Sequence, residues 1–277
     1  MAPPRFPLLA LAAALAGAAL PALAGCRTAP PPAAPPDAWA AFRGMDIVDC
    51  THPLDAKVPY WPGAKYFPLE TWDLAKFEEV RAFSRAYRVP EHYGTHVDAP
   101  VHFAPGQPSV EAIPPEALVG PAVVFDLRGR AAADPDAALE AEDVDAWEAE
   151  HGPVPDGAIA CLVTGWAERW GDAARYRNFD PEGRLRFPSY ALSAGRRLLV
   201  DRRCRGLVVD GLSVDRGIDA EFPVHRLGNG MGRWFVENAA NLDRLPATGA
   251  VIVAAPIPLR GGSGGQARVL AFVPRGP

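Results

Sequence analysis

The sequence predicts a mixed α/β domain built on a mixed or barrel-like sheet, and three observations carry that prediction. Short apolar runs of strand length, at residues 122–127, 158–164 and 206–209, are interleaved with helix-prone stretches. The runs at residues 250–255 and 268–273 follow each other with no helical segment between them, which argues against a clean doubly wound sheet. Glycine and proline are plentiful, 26 and 31 residues in a chain of 277, so the chain should be cut into many short elements rather than long helices. No internal repeat of solenoid length is present.

At the N-terminus, residues 1–25 read as a signal peptide. Arg5 is the positive charge before an Ala/Leu run over residues 8–23 that is short for a membrane span. The run ends in Leu23-Ala24-Gly25-Cys26, which resembles the lipobox of bacterial lipoproteins. The resemblance implies cleavage before Cys26, a lipid on its sulfur, and an exported protein anchored to a membrane and facing the periplasm or cell exterior. Residues 26–40 are then the lipidated cysteine and a Pro/Ala-rich tether, and residues 41–277 the folded domain. Contact with membrane is expected through the lipid alone. The formal net charge of −5 and the lack of any basic run exclude sequence-independent nucleic-acid binding, which needs clustered cations. Beyond Cys26 the cysteines are Cys50, Cys161 and Cys204, an odd set that makes no disulfide framework; Cys161 and Cys204 read as small core residues.

Along the domain, residues 45–50 (MDIVDC) alternate as a strand and run into a Thr-His-Pro turn. Residues 59–63 (PYWPG) form a rigid aromatic loop, and residues 85–89 a strand leading to the histidine-rich segment. The acidic stretch 134–151 is helix-prone and solvated, with Asp143 placed to cap a helix starting near Val144. Residues 190–200 show helical periodicity. Residues 261–265 (GGSGG) read as a flexible loop before the last strand.

The chemistry concentrates at residues 92–103, HYGTHVDAPVHF. Of six histidines, His92, His96 and His102 fall here, with Asp98 among them. Gly94 and Pro100 disfavour a continuous helix; in an extended chain positions 92, 96, 98 and 102 share parity and face one side. Three imidazoles and a carboxylate are costly to bury without a common partner, and a divalent cation supplies one: zinc first, with manganese or iron also suited to these ligands. Further ligands should come from elsewhere. The candidates are His225 and Glu237, the latter flanked by Trp234, Phe235 and Val236, although an ion pair with Arg226 or Arg233 would satisfy a buried Glu237 equally well.

The segment resembles the H-x-G-T-H-x-D-x-P-x-H signature of the metal-dependent cyclase family, which includes bacterial kynurenine formamidase and isatin hydrolase. DCTHPL at 49–54, YWPG at 60–63, VTGW at 163–166, VDGLSVD at 209–215 and the spacing of twelve between His225 and Glu237 extend the resemblance over most of residues 45–273. It implies a swivelling β/β/α domain, assembled as a homodimer or homotetramer. It also implies a divalent metal site of one or two ions, zinc or manganese. His92, His96 and Asp98 would hold the first ion; Asp98 would bridge to a second held by His225 and Glu237. His102 would be the acid/base residue, and Trp61 would line the substrate pocket. The implied reaction is hydrolysis of a small amide or lactam C–N bond, arylformamidase-like, with a water activated by the metal, the oxyanion steadied by its charge, and a proton passed by His102 to the leaving nitrogen. Many relatives are cytoplasmic and act in tryptophan catabolism, whereas export of this chain leaves other amides, lactams or cyclic esters open as substrates.

Two rival readings remain in view. The GGSGG motif matches G-x-S-x-G, but no Asp, Glu or His follows Ser263, so the usual triad order cannot be completed. An exported non-catalytic metal- or ligand-binding lipoprotein is the other; His102, an extra histidine beside a ligand set, is what such a protein would not need. His52 reads as structural and His151 as an exposed residue at a helix C-terminus.

Overall fold

The structure, a computed structural model, describes residues 38–276, so the leader, Cys26 and nearly all of the tether lie outside the described residues. Its strands in chain order are β1 (Met45–Asp49), β2 (Glu70–Ala75), β3 (Ser84–Arg88), β4 (His96–Asp98), β5 (Val119–Asp126), β6 (Ala138–Leu139), β7 (Ile159–Val163), β8 (Ser189–Tyr190), β9 (Gly206–Val209), β10 (Trp234–Glu237), β11 (Val251–Pro256) and β12 (Gly264–Pro274). The α-helices are α1 (Ala38–Arg43), α2 (Phe77–Val80), α3 (Arg128–Ala133), α4 (Ala141–His151), α5 (Ala173–Arg177), α6 (Leu192–Arg196) and α7 (Pro223–Gly230).

The main sheet runs β1-β12-β11-β5-β7-β9-β10-β4, and β4 pairs again with β12, so the strands from β12 round to β4 form a closed barrel with β1 added outside the ring. β5, β7, β9 and β10 are mutually parallel; β4, β11 and β12 complete the ring with antiparallel pairings. The expectation of a mixed, barrel-like sheet is met. The physical cause is visible strand by strand. Ala122 and Val124 of β5, Ile159, Cys161 and Val163 of β7, Val208 of β9, and Trp234 and Val236 of β10 belong to the cluster that fills the barrel. The residues between them, Val123, Phe125, Ala160, Leu162, Leu207, Val209 and Phe235, form a second cluster with Val144 and Trp147 of α4, Ala194 of α6, Leu198 just after α6, and Val224 of α7. Period-two alternation thus feeds two cores at once, and these strands read as unbroken apolar runs because both faces are covered.

Four local expectations are corrected. The acidic helix starts at Ala141, not near Val144; Glu140 is its N-cap, and Asp143 sits at the third position, where its carboxylate accepts from the Glu140 N–H in a reciprocal capping box. The helical stretch at 190–200 opens with the short strand β8, becomes α6 only at Leu192, and widens into a π-turn over Arg197–Asp201. The histidine segment is extended only over His96–Asp98; Pro100 then starts a 3-10 turn, Pro100–His102, which its fixed φ favours and which ends the parity argument at Asp98. GGSGG is not simply a loop: Gly264 and Gly265 open β12 and pair with Asp98 and Val97, sealing the barrel. Cys50, Cys161 and Cys204 are buried free thiols, as expected of Cys161 and Cys204, and His151 closes α4.

Candidate metal centre and active site

β4 places Val97 in the barrel interior and so turns His96 and Asp98 to the opposite face. β10 does the same, with Val236 inside and Glu237 outside, and its register sets Glu237 opposite His96 and Phe235 opposite Asp98. His225 arrives from α7, whose interior residue Val224 packs against the outer face of the sheet. His92 comes from the turn before β4, where Gly94 holds φ +68°, a conformation that a side chain would strain.

Each of the three histidines is held by one ring nitrogen and turns the other inward. His96 Nδ1 lies 2.9 Å from the Gly94 carbonyl, which can only accept, so this nitrogen donates and Nε2 is the one turned inward. That Nε2 is buried without a hydrogen-bond partner, although Asp98 Oδ1 lies at 3.1 Å and Glu237 Oε2 at 3.6 Å. His225 Nδ1 donates to Asp215 Oδ2 at 2.6 Å, leaving Nε2 at 3.1 Å from Asp98 Oδ2 and 3.2 Å from Glu237 Oε1. His92 Nε2 meets Ser263 Oγ at 2.8 Å, and its Nδ1 lies 2.5 Å from Asp98 Oδ1. The inward atoms form two groups that share Asp98: His92, His96 and Asp98, and Asp98, His225 and Glu237, with ligand atoms within 4.8 Å of one another in each. The ion pair of Glu237 with Arg226 or Arg233 is not formed; Glu237 instead faces the histidines and accepts from the Val214 N–H at 3.1 Å.

The electrostatics describe a cluster short of positive charge. Burial alone would raise the Asp98 carboxyl, yet the flanking histidines hold it well below the carboxylate range. Burial alone would lower His96, but Asp98 and Glu237 drive it up to about 9. His225 is raised in the same way, against burial, by Asp215, Asp98 and Glu237. Glu237 is raised by burial and by the Asp98 charge. Protons shared among buried carboxylates and imidazoles are the substitute for a cation. Three inward ring nitrogens, one of them orphaned, and two carboxylates fit a divalent metal.

His102 behaves differently. It stacks on His92 with ring centroids 4.0 Å apart, and burial pushes it down to about 3. Among the described residues no protein group hydrogen-bonds to its ring. It faces a cavity of about 230 Å³ whose walls include Tyr60, Trp61, Tyr66, Phe103 and Phe222, and whose floor is His92, His96, His225 and Glu237. Trp61 is held in that wall by its loop: Arg177 donates to the Tyr60 carbonyl at 2.8 Å and lies over the Tyr60 ring.

Sequence reasoning missed Asp215, Ser263, Asn238 and most of the aromatic wall as site residues. Asp215 binds the Val224 and His225 backbone N–H groups as well as the His225 ring, so it caps α7 and sets the ligand at once. Phe222 is held at φ 51°, left-handed for a bulky residue, and presents its ring to Phe103 and Trp61. A buried Asp ten positions before a histidine was the available signal for the first; nothing in the sequence marked the second. His52 is structural, stacked flat on Trp170 at 4.0 Å and absent from the cavity lining.

The family described as "Putative cyclase" matches residues 48–216. The chain belongs to the cyclase family. It is 32% identical to the isatin hydrolase of Roseibium aggregatum over 246 residues, covering 83% of this chain and 93% of that protein. The solved structure of isatin hydrolase A from Labrenzia aggregata bound to benzyl benzoate superposes with a TM-score of 0.80 at 34% identity, over 85% of this chain and 96% of that one. Isatin hydrolase A from Ralstonia solanacearum gives a TM-score of 0.80 at 32% identity, over 90% of this chain and 100% of that one. This member of the cyclase family therefore has the fold expected from its sequence, and a divalent metal centre fits its donor set.

Proposed function

We propose that this chain is a metal-dependent hydrolase that cleaves the C–N bond of a small aromatic amide or lactam, as isatin hydrolase and kynurenine formamidase are named for doing. The observation that carries the reading is the aromatic-walled cavity ending on the histidine–carboxylate floor, with the His102 ring free beside it. Tyr60, Trp61, Phe103 and Phe222 offer flat apolar surface to a planar substrate and shed water from its faces. His92, His96 and Asp98 would hold one divalent ion, and Asp98, His225 and Glu237 a second. Zinc suits imidazole and carboxylate best and manganese also fits. Bound there, such an ion would contribute Lewis acidity toward a carbonyl and toward water.

The residues do the rest. The His102 ring, stacked on His92 at the cavity floor, is placed to accept the proton of the attacking water. The oxygen adds to the carbonyl carbon, the C–N bond breaks, and His102 returns the proton to the leaving nitrogen. The products are a carboxylate and an amine, and no side-chain nucleophile is needed. Assay of isatin and N-formylkynurenine with and without a chelator is the test. Turnover that disappears with the chelator and returns with zinc or manganese supports the reading; tight metal binding without turnover of either compound or of a panel of lactams sinks it.

Two further parts of the proposal rest on the N-terminus and the family. The lipobox-like sequence supports export and anchoring through Cys26, checked by following the chain between membrane and soluble fractions on Cys26→Ser. Assembly as a homodimer or homotetramer is checked by the mass of the purified protein in solution.

A further inference from the structure

His92 is the ligand candidate nearest solvent: its side chain is 19% exposed, against 3% for both His96 and His225. His96 is braced by a carbonyl and His225 by a carboxylate. The brace on His92 is a two-residue device. Ser263 Oγ lies 2.8 Å from His92 Nε2 and 2.7 Å from Glu91 Oε2, and the Ser263 N–H donates to the same Glu91 oxygen at 2.8 Å. A hydroxyl has one proton. An ionised carboxylate can only accept, so that proton goes to Glu91, and Ser263 Oγ must accept from His92 Nε2. His92 is thereby fixed with its proton outward and Nδ1 turned to Asp98.

The device is itself rigid. The Ser263 carbonyl accepts from Ala99 N–H at 2.9 Å, and Gln266 Nε2 donates to the carbonyls of Pro90 and Glu91. Both ends of the relay are thus tied to the β4–β12 seam. Gly264, next in the chain, leaves room for the ring: a Cβ there would lie 2.6 Å from His92 Cε1. The motif that fails as a nucleophile elbow has a different use.

We propose that Ser263, held by Glu91, is the positioning residue for His92. It selects the tautomer that points Nδ1 at the metal and passes the charge of Glu91 to the ligand through a hydroxyl. The inference rests on the metal reading above. Hydrogen-bond partners of metal-bound imidazoles are worth 10–100-fold in affinity.

The test is zinc affinity of the full chain by competition with a chromophoric chelator, alongside the melting temperature of the metal-free protein. Ser263→Ala should bind zinc roughly 10–100-fold more weakly with the metal-free melting temperature unchanged. Ser263→Thr, which keeps the hydroxyl, should bind as the wild type does. Glu91→Gln, which keeps shape and removes charge, should fall between the two and decides the matter if Ser263→Ala fails to fold. Excess zinc should restore kcat in the weakened variants without a change in KM. Wild-type affinity in both Ser263→Ala and Glu91→Gln overturns the relay alone. A wild-type chain that binds no zinc or manganese overturns the metal reading and the relay with it.

Discussion

Glu237 sits directly across the β10–β4 ladder from His96, in register, with Oε2 3.6 Å from Nε2. Both side chains are buried and both face away from the barrel interior. A cross-strand pair of this kind is fixed by the backbone ladder rather than by side-chain rotamers. A slip of one residue would turn Glu237 into the apolar barrel and bring Val236 to the site. The ligand geometry is therefore a property of strand register, and it rests on an element that cannot easily flex.

The sharing of Asp98 between the two ligand groups gives the first expected outcome. Asp98→Asn should abolish binding of both ions, because each group loses its common carboxylate. Glu237→Ala should remove one group and leave His92, His96 and Asp98 intact. Elemental analysis of the purified variants checks this; full metal content in Asp98→Asn would refute the shared-ligand geometry.

His102 makes no hydrogen bond to a ligand and is stacked on one. His102→Ala should keep the wild-type metal content and lose turnover by about 10²–10⁴-fold, the usual range for a removed acid/base group. Loss of metal in this variant would make His102 a ligand instead.

At Gly264 an added Cβ would lie 2.7 Å from the Val97 carbonyl as well as close to His92. Backbone cannot yield cheaply there. Gly264→Ala should lower stability by about 1–3 kcal/mol, the usual cost of overpacking, and weaken metal binding by moving His92. An unchanged melting temperature by calorimetry would contradict the closeness of the seam.

His52 gives a pH dependence with a definite sign. Burial lowers it from 6.5 to about 4, so the unfolded chain binds a proton over that interval and the folded chain does not. Stability from this residue is full above pH 6.5 and is lost as pH falls towards 4. Discounted for its partial exposure, the effect is on the order of 2 kcal/mol. Denaturant unfolding of wild type and His52→Phe between pH 4 and 7 should show a shallower acid loss in the variant; parallel curves would count against it.

The fold class and the core of the site were legible because both leave local marks. Doubly covered strands read as apolar runs, and His96 and Asp98 do share a strand face. Parity failed for His92 and His102, since Gly94 and Pro100 break the extension on either side of β4. His225 and Glu237 were candidates on residue type alone, and only the family spacing gave them roles. Ser263 and Glu91 were out of reach: their contact spans 172 positions, and the glycines around Ser263 read as slack chain. The αL conformation of Phe222, the residue before α7, likewise was not read from the sequence.

The seam between β4 and β12 also ties the site to the last strand of the chain. It joins residues 96–98 to residues 264–266, and closing a loop of that span carries an entropic cost that the packed seam offsets. The ligands on β4 and the brace on His92 meet only when that seam shuts. A chain truncated before β12 lacks the partner strand of His96 and Asp98 and should lose the geometry of the site.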